Sequence, residues 1–242
     1  MLFIFNITGN SACGRESHFY LHNFMFKKKD IHISFKVDDK KILFFKDHLK
    51  INTDIHELVF ESKNNLKVIK NGWFKIEDDI KYIINKFFLP SNNFLKVTIY
   101  IFPENFYLGA SETLKGIVLF GQPARTSFFP QAIILHELVH VLLSRVFIQR
   151  PVLVDEVICS LFESYVYSTF GSKSFSTIWK RSDLDVFHQA SYDFIINNPD
   201  IEINQLSIES HNVYQLISLI TQRLDLIATK IKPKIGLLNQ LK

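Results

Sequence analysis

The chain has 242 residues, 47% of them hydrophobic, with a formal net charge of +4 and two cysteines. That supplies a substantial core for one large domain or two small ones. It does not supply a nucleic-acid surface: the one dense basic cluster, Lys27-Lys28-Lys29, lacks interleaved Arg and aromatic residues and reads as a solvated loop. Cys13 and Cys159 make no metal-binding spacing and at most one disulfide, which favours a reducing compartment.

The opening "MLFIFNITGN" has too short an apolar run for a spanning helix and no basic segment before it. A buried first strand is expected there, in a soluble, cytoplasmic protein without a membrane or nucleic-acid partner. "IHISFKV" alternates Ile31, Ile33, Phe35 and Val37 with His32, Ser34 and Lys36, the period-two pattern of a half-buried strand. "KILFFK" (Lys41 to Lys46) reads as its partner across a "DDK" turn. Ile76 to Phe88 has helical spacing, with Asp78 and Asp79 in the first turns where the helix dipole favours them, and Leu89-Pro90 ends it.

"LKVTIYIFP" (Leu95 to Pro103) reads as a strand, a polar loop holds Gly109, and "KGIVLFG" (Lys115 to Gly121) reads as a strand between glycines. From there the pattern is helical: Phe129 to Val146, stopping before Arg150-Pro151; Val154 to Phe170, stopping at Gly171; and helices around Asp183 to Ile196 and Asn212 to Thr229. Strands followed by helices point to an α+β layout rather than alternating βαβ units. Any boundary falls near Pro90 to Leu95, which separates a strand-rich α/β region, 1–94, from the remainder, 95–242.

The tetrapeptide His-Glu-Leu-Val occurs twice, as "HELVF" from His56 and as "HELVH" from His136. On a helix, positions i and i+4 lie about 40° apart on one face, so His136 and His140 can bind one Zn²⁺ at about 2.0–2.1 Å each. Glu137 stands at the edge of that face, where a carboxylate can take a proton from the water that such a metal activates. Ser127 is available as a cap, and Pro130 suits the first turn. The surrounding residues are apolar nearly all round the helix, so it is expected to be buried. Two histidines and a glutamate buried there are costly unless something satisfies them, and a metal would. The earlier copy has Phe60 in the second ligand slot, and one imidazole does not organise a zinc site; His56 reads as a surface or core-edge histidine.

A catalytic zinc normally takes three protein ligands. Glu156 lies sixteen residues past His140, near the start of the next helix, where a fold-back brings its carboxylate to both histidines. It is the expected third ligand. Glu163, two turns along the same face, is the alternative ligand, though a second-layer or solvated carboxylate is the reading more favoured for it. Cys159 reads as a packed small residue.

The pattern HELVH followed by "DEVICSLFE" resembles the gluzincin metallopeptidases, whose motif continues with a run of the form "NEGFASYVE". The resemblance covers Phe129 to Phe170. It sets Glu156 on the glutamate ligand, Ser160 on the serine and Glu163 on the final glutamate; Val157 replaces the usual glycine and Asp155 the common asparagine. It implies a zincin-like α+β fold in which a small mixed or antiparallel sheet packs on the active-site helix, followed by a mainly helical C-terminal part. Residues 95–242 would then be the catalytic region, and "GIVLFG" (Gly116 to Gly121) an edge strand able to pair with an extended peptide; an internal strand is the equal alternative. No "GAMEN"-like stretch is present, so aminopeptidase specificity is not implied. Peptide hydrolysis needs a donor for the developing oxyanion. "HNVYQLISLI" is similar to the family's "VPYEKGFALL", which places Tyr214 on its tyrosine, with Ile217 where the family has glycine; His211 and His188 are alternatives.

The expected protein is thus a metallopeptidase with one Zn²⁺ per chain on His136, His140 and Glu156. Glu137 would be its base, Tyr214 its oxyanion donor, and a peptide or protein its substrate. The rival expectation is a gluzincin-like zinc-binding or scaffold protein without turnover.

Overall fold

The computed structural model describes residues 31–88, 95–103, 106, 109–113, 116–120, 129–146, 148–171, 186–203 and 212–225. In chain order these form β1 (Ile31–Lys36), α1 (Asp39–His48), α2 (Ile55–Phe74), α3 (Glu77–Phe87), β2 (Leu95–Ile101), β3 (Gly109–Thr113), β4 (Gly116–Phe120), α4 (Phe129–Leu143), α5 (Val152–Phe170), α6 (Val186–Asn197) and α7 (213–225). The amino-terminal segment, Cys13, the lysine cluster, Ser127 and His211 lie outside the described residues.

The α+β zincin-like expectation is corrected by this architecture. Seven helices dominate the described residues. The sheet, ordered β1-β2-β4-β3, is built on the parallel pairings β1–β2 and β2–β4, and is antiparallel only where β3 meets β4. Two local misreadings account for much of the difference. "KILFFK" is not a strand but most of α1: the Asp38 carboxylate accepts from the Lys41 N–H as an N-cap, so the supposed turn is a helix start. Its run of four apolar residues fits either period, and burial of Ile42 with Phe45 edge-on to Phe102 selects the helical face. Residues 55–74, to which no element was assigned, form the longest helix among the described residues, capped by Asp54, which accepts from the His56 N–H at 2.7 Å. Residues 31–88 are therefore mainly helical, and the β1–β2 pairing joins them to the chain beyond position 94.

The sheet also corrects the edge-strand expectation. β4 lies between β2 and β3, with Ile99 beside Ile117 and Gly109 opposite Phe120. Among the described strands, the edge on that side is β3, in the stretch read as a polar loop. Its "GASET" composition carries no strand signal of its own; pairing with β4 makes it one.

α4 runs beneath β3 and β4 and packs against α2 and α5, which explains its all-round apolar sequence. Ala132, Ile134, Leu135, Leu138, Val139, Leu142 and Leu143 all enter the main core, joined by Val157, Ile158, Leu161 and Phe162 of α5 and by Ile80, Ile83, Ile84 and Phe87 of α3. The Gln131 amide donates to the Ile69 carbonyl at 2.9 Å and so ties α4 to α2. That contact needs Gly72, because a Cβ there would overlap the Gln131 amide. A smaller cluster of Ile42, Leu58, Phe102 and Phe106 seats α1 against α2.

Candidate metal centre

The centre is set by how α5 returns from α4. The connection between them is clasped by Arg150, whose guanidinium donates to the carbonyls of Leu143 (2.8 Å), Val146 (3.0 Å) and Ile148 (2.9 Å) and to the Asp155 carboxylate. These bonds tie the end of α4 to the residues that follow it, and Asp155 fixes the first turn of α5 to the same guanidinium. Pro151, extended, leads directly into α5. Glu156 is thereby delivered beside the two histidines of α4. The departure from the asparagine of the gluzincin pattern at position 155 thus has a local use.

His136 Nε2 and His140 Nε2 are 3.2 Å apart. Glu156 faces both, with Oε2 at 3.5 Å from His136 Nε2 and Oε1 at 3.4 Å from His140 Nε2. His136 is 2% exposed; Glu137 and Glu156 are also buried. Behind His136, its Nδ1 meets Glu163 Oε2 at 3.1 Å, and the buried Tyr192 hydroxyl donates to the same oxygen at 3.2 Å. The two carboxylates of α5 thus have separate places. Glu156 sits at the converging Nε2 atoms, and Glu163 holds the far side of the His136 ring, which directs Nε2 inward.

Two further donors stand close. The ligand atoms of His136, His140 and Cys159 lie within 4.8 Å of one another, as do those of His136, Glu156 and His188. His188 Nε2 is 3.6 Å from Glu156 Oε2, and its ring stacks on His136 with centroids 5.4 Å apart.

The electrostatics follow from this packing. Burial pulls the His136 pKa down, but the facing carboxylates of Glu156 and Glu163, with the charge of Glu137, outweigh it and hold the group up to about 10. Burial pushes the Glu156 carboxyl up; His136 and His140 outweigh that and bring it well below the usual carboxylate range. Tyr192 is driven far above the ordinary phenol range by burial and by Glu163, so it remains a donor. Without a metal, His136 is an imidazolium among carboxylates.

The residues present suit a metal ion. Two imidazoles and a carboxylate are a donor set for a divalent transition metal. Glu156 Oε2, buried between two imidazoles, has no hydrogen-bond partner among the described residues, which is the condition of an atom awaiting a cation.

Of the expected residues, the fold gathers His136, Glu137, His140 and Glu156 on α4 and α5. Tyr214 is different: it is 56% exposed at the start of α7, and the described hydrogen bonds and ring contacts of the histidine cluster do not include it. His188, named only as an alternative oxyanion donor, is at the centre, and Tyr192 had no assigned role. Their i, i+4 spacing on a recognisable helix was the available signal, but nothing local showed that α6 packs on α5. Cys159, expected as packing, is buried and also presents its sulfur to the histidines. His56, in the earlier copy, is an exposed residue in the first turn of α2, as anticipated. No helix among the described residues is long and apolar enough to cross a membrane. No family model, curated protein or solved structure matches the chain.

Proposed function

We propose that the protein is a zinc-dependent peptidase of gluzincin type, with the metal on His136, His140 and Glu156. The observation that carries this reading is the spacing of the three donors. Ligand atoms about 2.0–2.1 Å from a tetrahedral zinc stand about 3.3–3.4 Å from one another. Here the two Nε2 atoms stand 3.2 Å apart, and Glu156 faces each with a different oxygen, Oε1 at 3.4 Å from His140 and Oε2 at 3.5 Å from His136. Zinc bound there would polarise the scissile carbonyl and acidify water.

The remaining chemistry falls to the chain. Glu137, buried next to His136 in sequence, accepts a proton from the attacking water as its oxygen bonds to the carbonyl carbon. As the C–N bond breaks, Glu137 returns that proton to the leaving amine. Glu163 and Tyr192 keep the His136 ring oriented throughout.

Glu137→Gln tests the mechanism. The variant should retain one zinc per chain while cleavage of a peptide library falls by about 10²–10⁴-fold. Undiminished cleavage rules the mechanism out. A second reading, a zinc-holding protein without turnover, draws on His188 and Cys159, each of which stands in a three-residue donor group with His136, because a metal filled by protein ligands is structural rather than catalytic. It predicts that wild type and Glu137→Gln are equally inert although both hold zinc.

A further inference from the structure

We propose that His188 is a fourth protein ligand, closing the resting metal centre against water until substrate displaces it. This rests on the zinc reading above and adds a residue and a state to it. His188 Nε2 approaches Glu156 Oε2 at 3.6 Å, close to the other donor separations around the centre. That oxygen has no hydrogen-bond partner among the described residues, as is also true of Glu163 Oε1, but it alone of the two has both His136 Nε2 and His188 Nε2 beside it, at 3.5 and 3.6 Å, placed to share a cation with it.

The ring of His188 is nearly parallel to that of His136, at 14°, and its donor atom lies within 4.8 Å of those of His136 and Glu156. The helix that delivers it is anchored on the side away from solvent. The Ser191 and Ser160 hydroxyls meet at 2.8 Å in the buried α5–α6 seam, and Tyr192 donates to Glu163. These contacts lie one turn further along α6, so they locate its first turn beside the metal site.

The chemical consequence follows from coordination number. Three imidazoles and one carboxylate fill a tetrahedral zinc and leave no position for water, whereas hydrolysis needs an open one. The His188 side chain is 31% exposed, and its neighbours Val186 and Phe187 are exposed at the helix start, so the ring has a way out toward solvent. The side chains of His136, Glu156 and His140 are less exposed, at 3%, 12% and 19%. His188 is therefore the ligand best placed to leave. An oxyanion donor would instead stand clear of the ligand atoms, but His188 faces one of them.

The test is X-ray absorption on the full chain loaded with zinc, as wild type and as His188→Ala and His188→Gln, each checked for unchanged helix content by circular dichroism. The imidazole count at zinc should fall from three to two in both variants. A count of two in wild type, or one that both variants leave unchanged, overturns the assignment while the zinc reading stands. If turnover is then lost with the count unchanged, His188 acts on substrate. A wild-type chain that takes up no zinc overturns this inference and the zinc reading together.

Discussion

α2 and α4 begin with nearly the same letters and have different environments. Both carry His-Glu-Leu-Val, at 56–59 and at 136–139. In α2 the stretch occupies the first turn of a capped, half-exposed helix: His56 and Glu57 face solvent, Phe60 is 67% exposed, and only Leu58 enters the core. In α4 the same letters lie mid-helix in a core segment covered by α2, α5 and the sheet. There His136 cannot remain unsatisfied, and carboxylates from α5 meet both of its ring nitrogens. The lesson is that the tetrapeptide has no chemistry of its own. A second helix confers it.

The strongest way to break the contrast is His140→Phe, which rewrites the second copy as the first. Zinc per chain, by metal analysis after purification without chelator, should drop from one to a trace, and turnover should go with it. Retention of zinc would show that His140 is not a ligand.

Glu163→Gln is expected to act less severely. It keeps the shape beside His136 Nδ1 but removes the charge that orients the ring, and zinc affinity should weaken by about 10–100-fold in a competition titration. An unchanged affinity would reduce Glu163 to a packing residue.

A pH series sharpens the comparison further. The His136 pKa, raised to about 10, means that its stabilising contribution to the metal-free protein is complete below the unfolded value, about 6.5. That contribution is lost as pH rises through about 10. Zinc requires the neutral imidazole, so its affinity should climb over the same window. Melting curves with chelator, read against His136→Gln, should show the wild-type advantage shrinking with pH; a constant or growing advantage would contradict the sign.

The smallest effect is expected from Phe60→His, which completes a second HELVH. Stability should change by no more than about 0.5 kcal/mol at this exposed position, and zinc should stay at one per chain. A second tightly bound zinc would mean that two imidazoles on an open helix suffice.

Much of the local structure was legible. β1, α3, β2, β4 and the helices from α4 onward fall where periodicity and breakers put them, because each carries a clear pattern and a stop signal. α1 was not legible, since its apolar run fits both periods, nor was β3, whose five residues have no strand character outside the sheet. The balance of parallel to antiparallel pairing, and the interior place of β4, were decided by contacts between strands distant in sequence.

The sequence by itself determined the pair of imidazoles, the intervening carboxylate and the buried helix that bears them, because i, i+4 spacing and all-round hydrophobicity are properties of one continuous segment. It also placed two carboxylates on one face of α5 and favoured Glu156 as the ligand, but not the atoms that either would meet. The packing of α5 on α4 supplied those atoms, setting Glu156 at the Nε2 atoms and Glu163 at Nδ1. Only the packing of α6 on α5 brought His188 and Tyr192 to the centre and not Tyr214. The physical reason is reach: helical periodicity acts over a turn or two, about 5–10 Å, while the site is made where three helices meet, and the buried area of their contacts sets which faces those are.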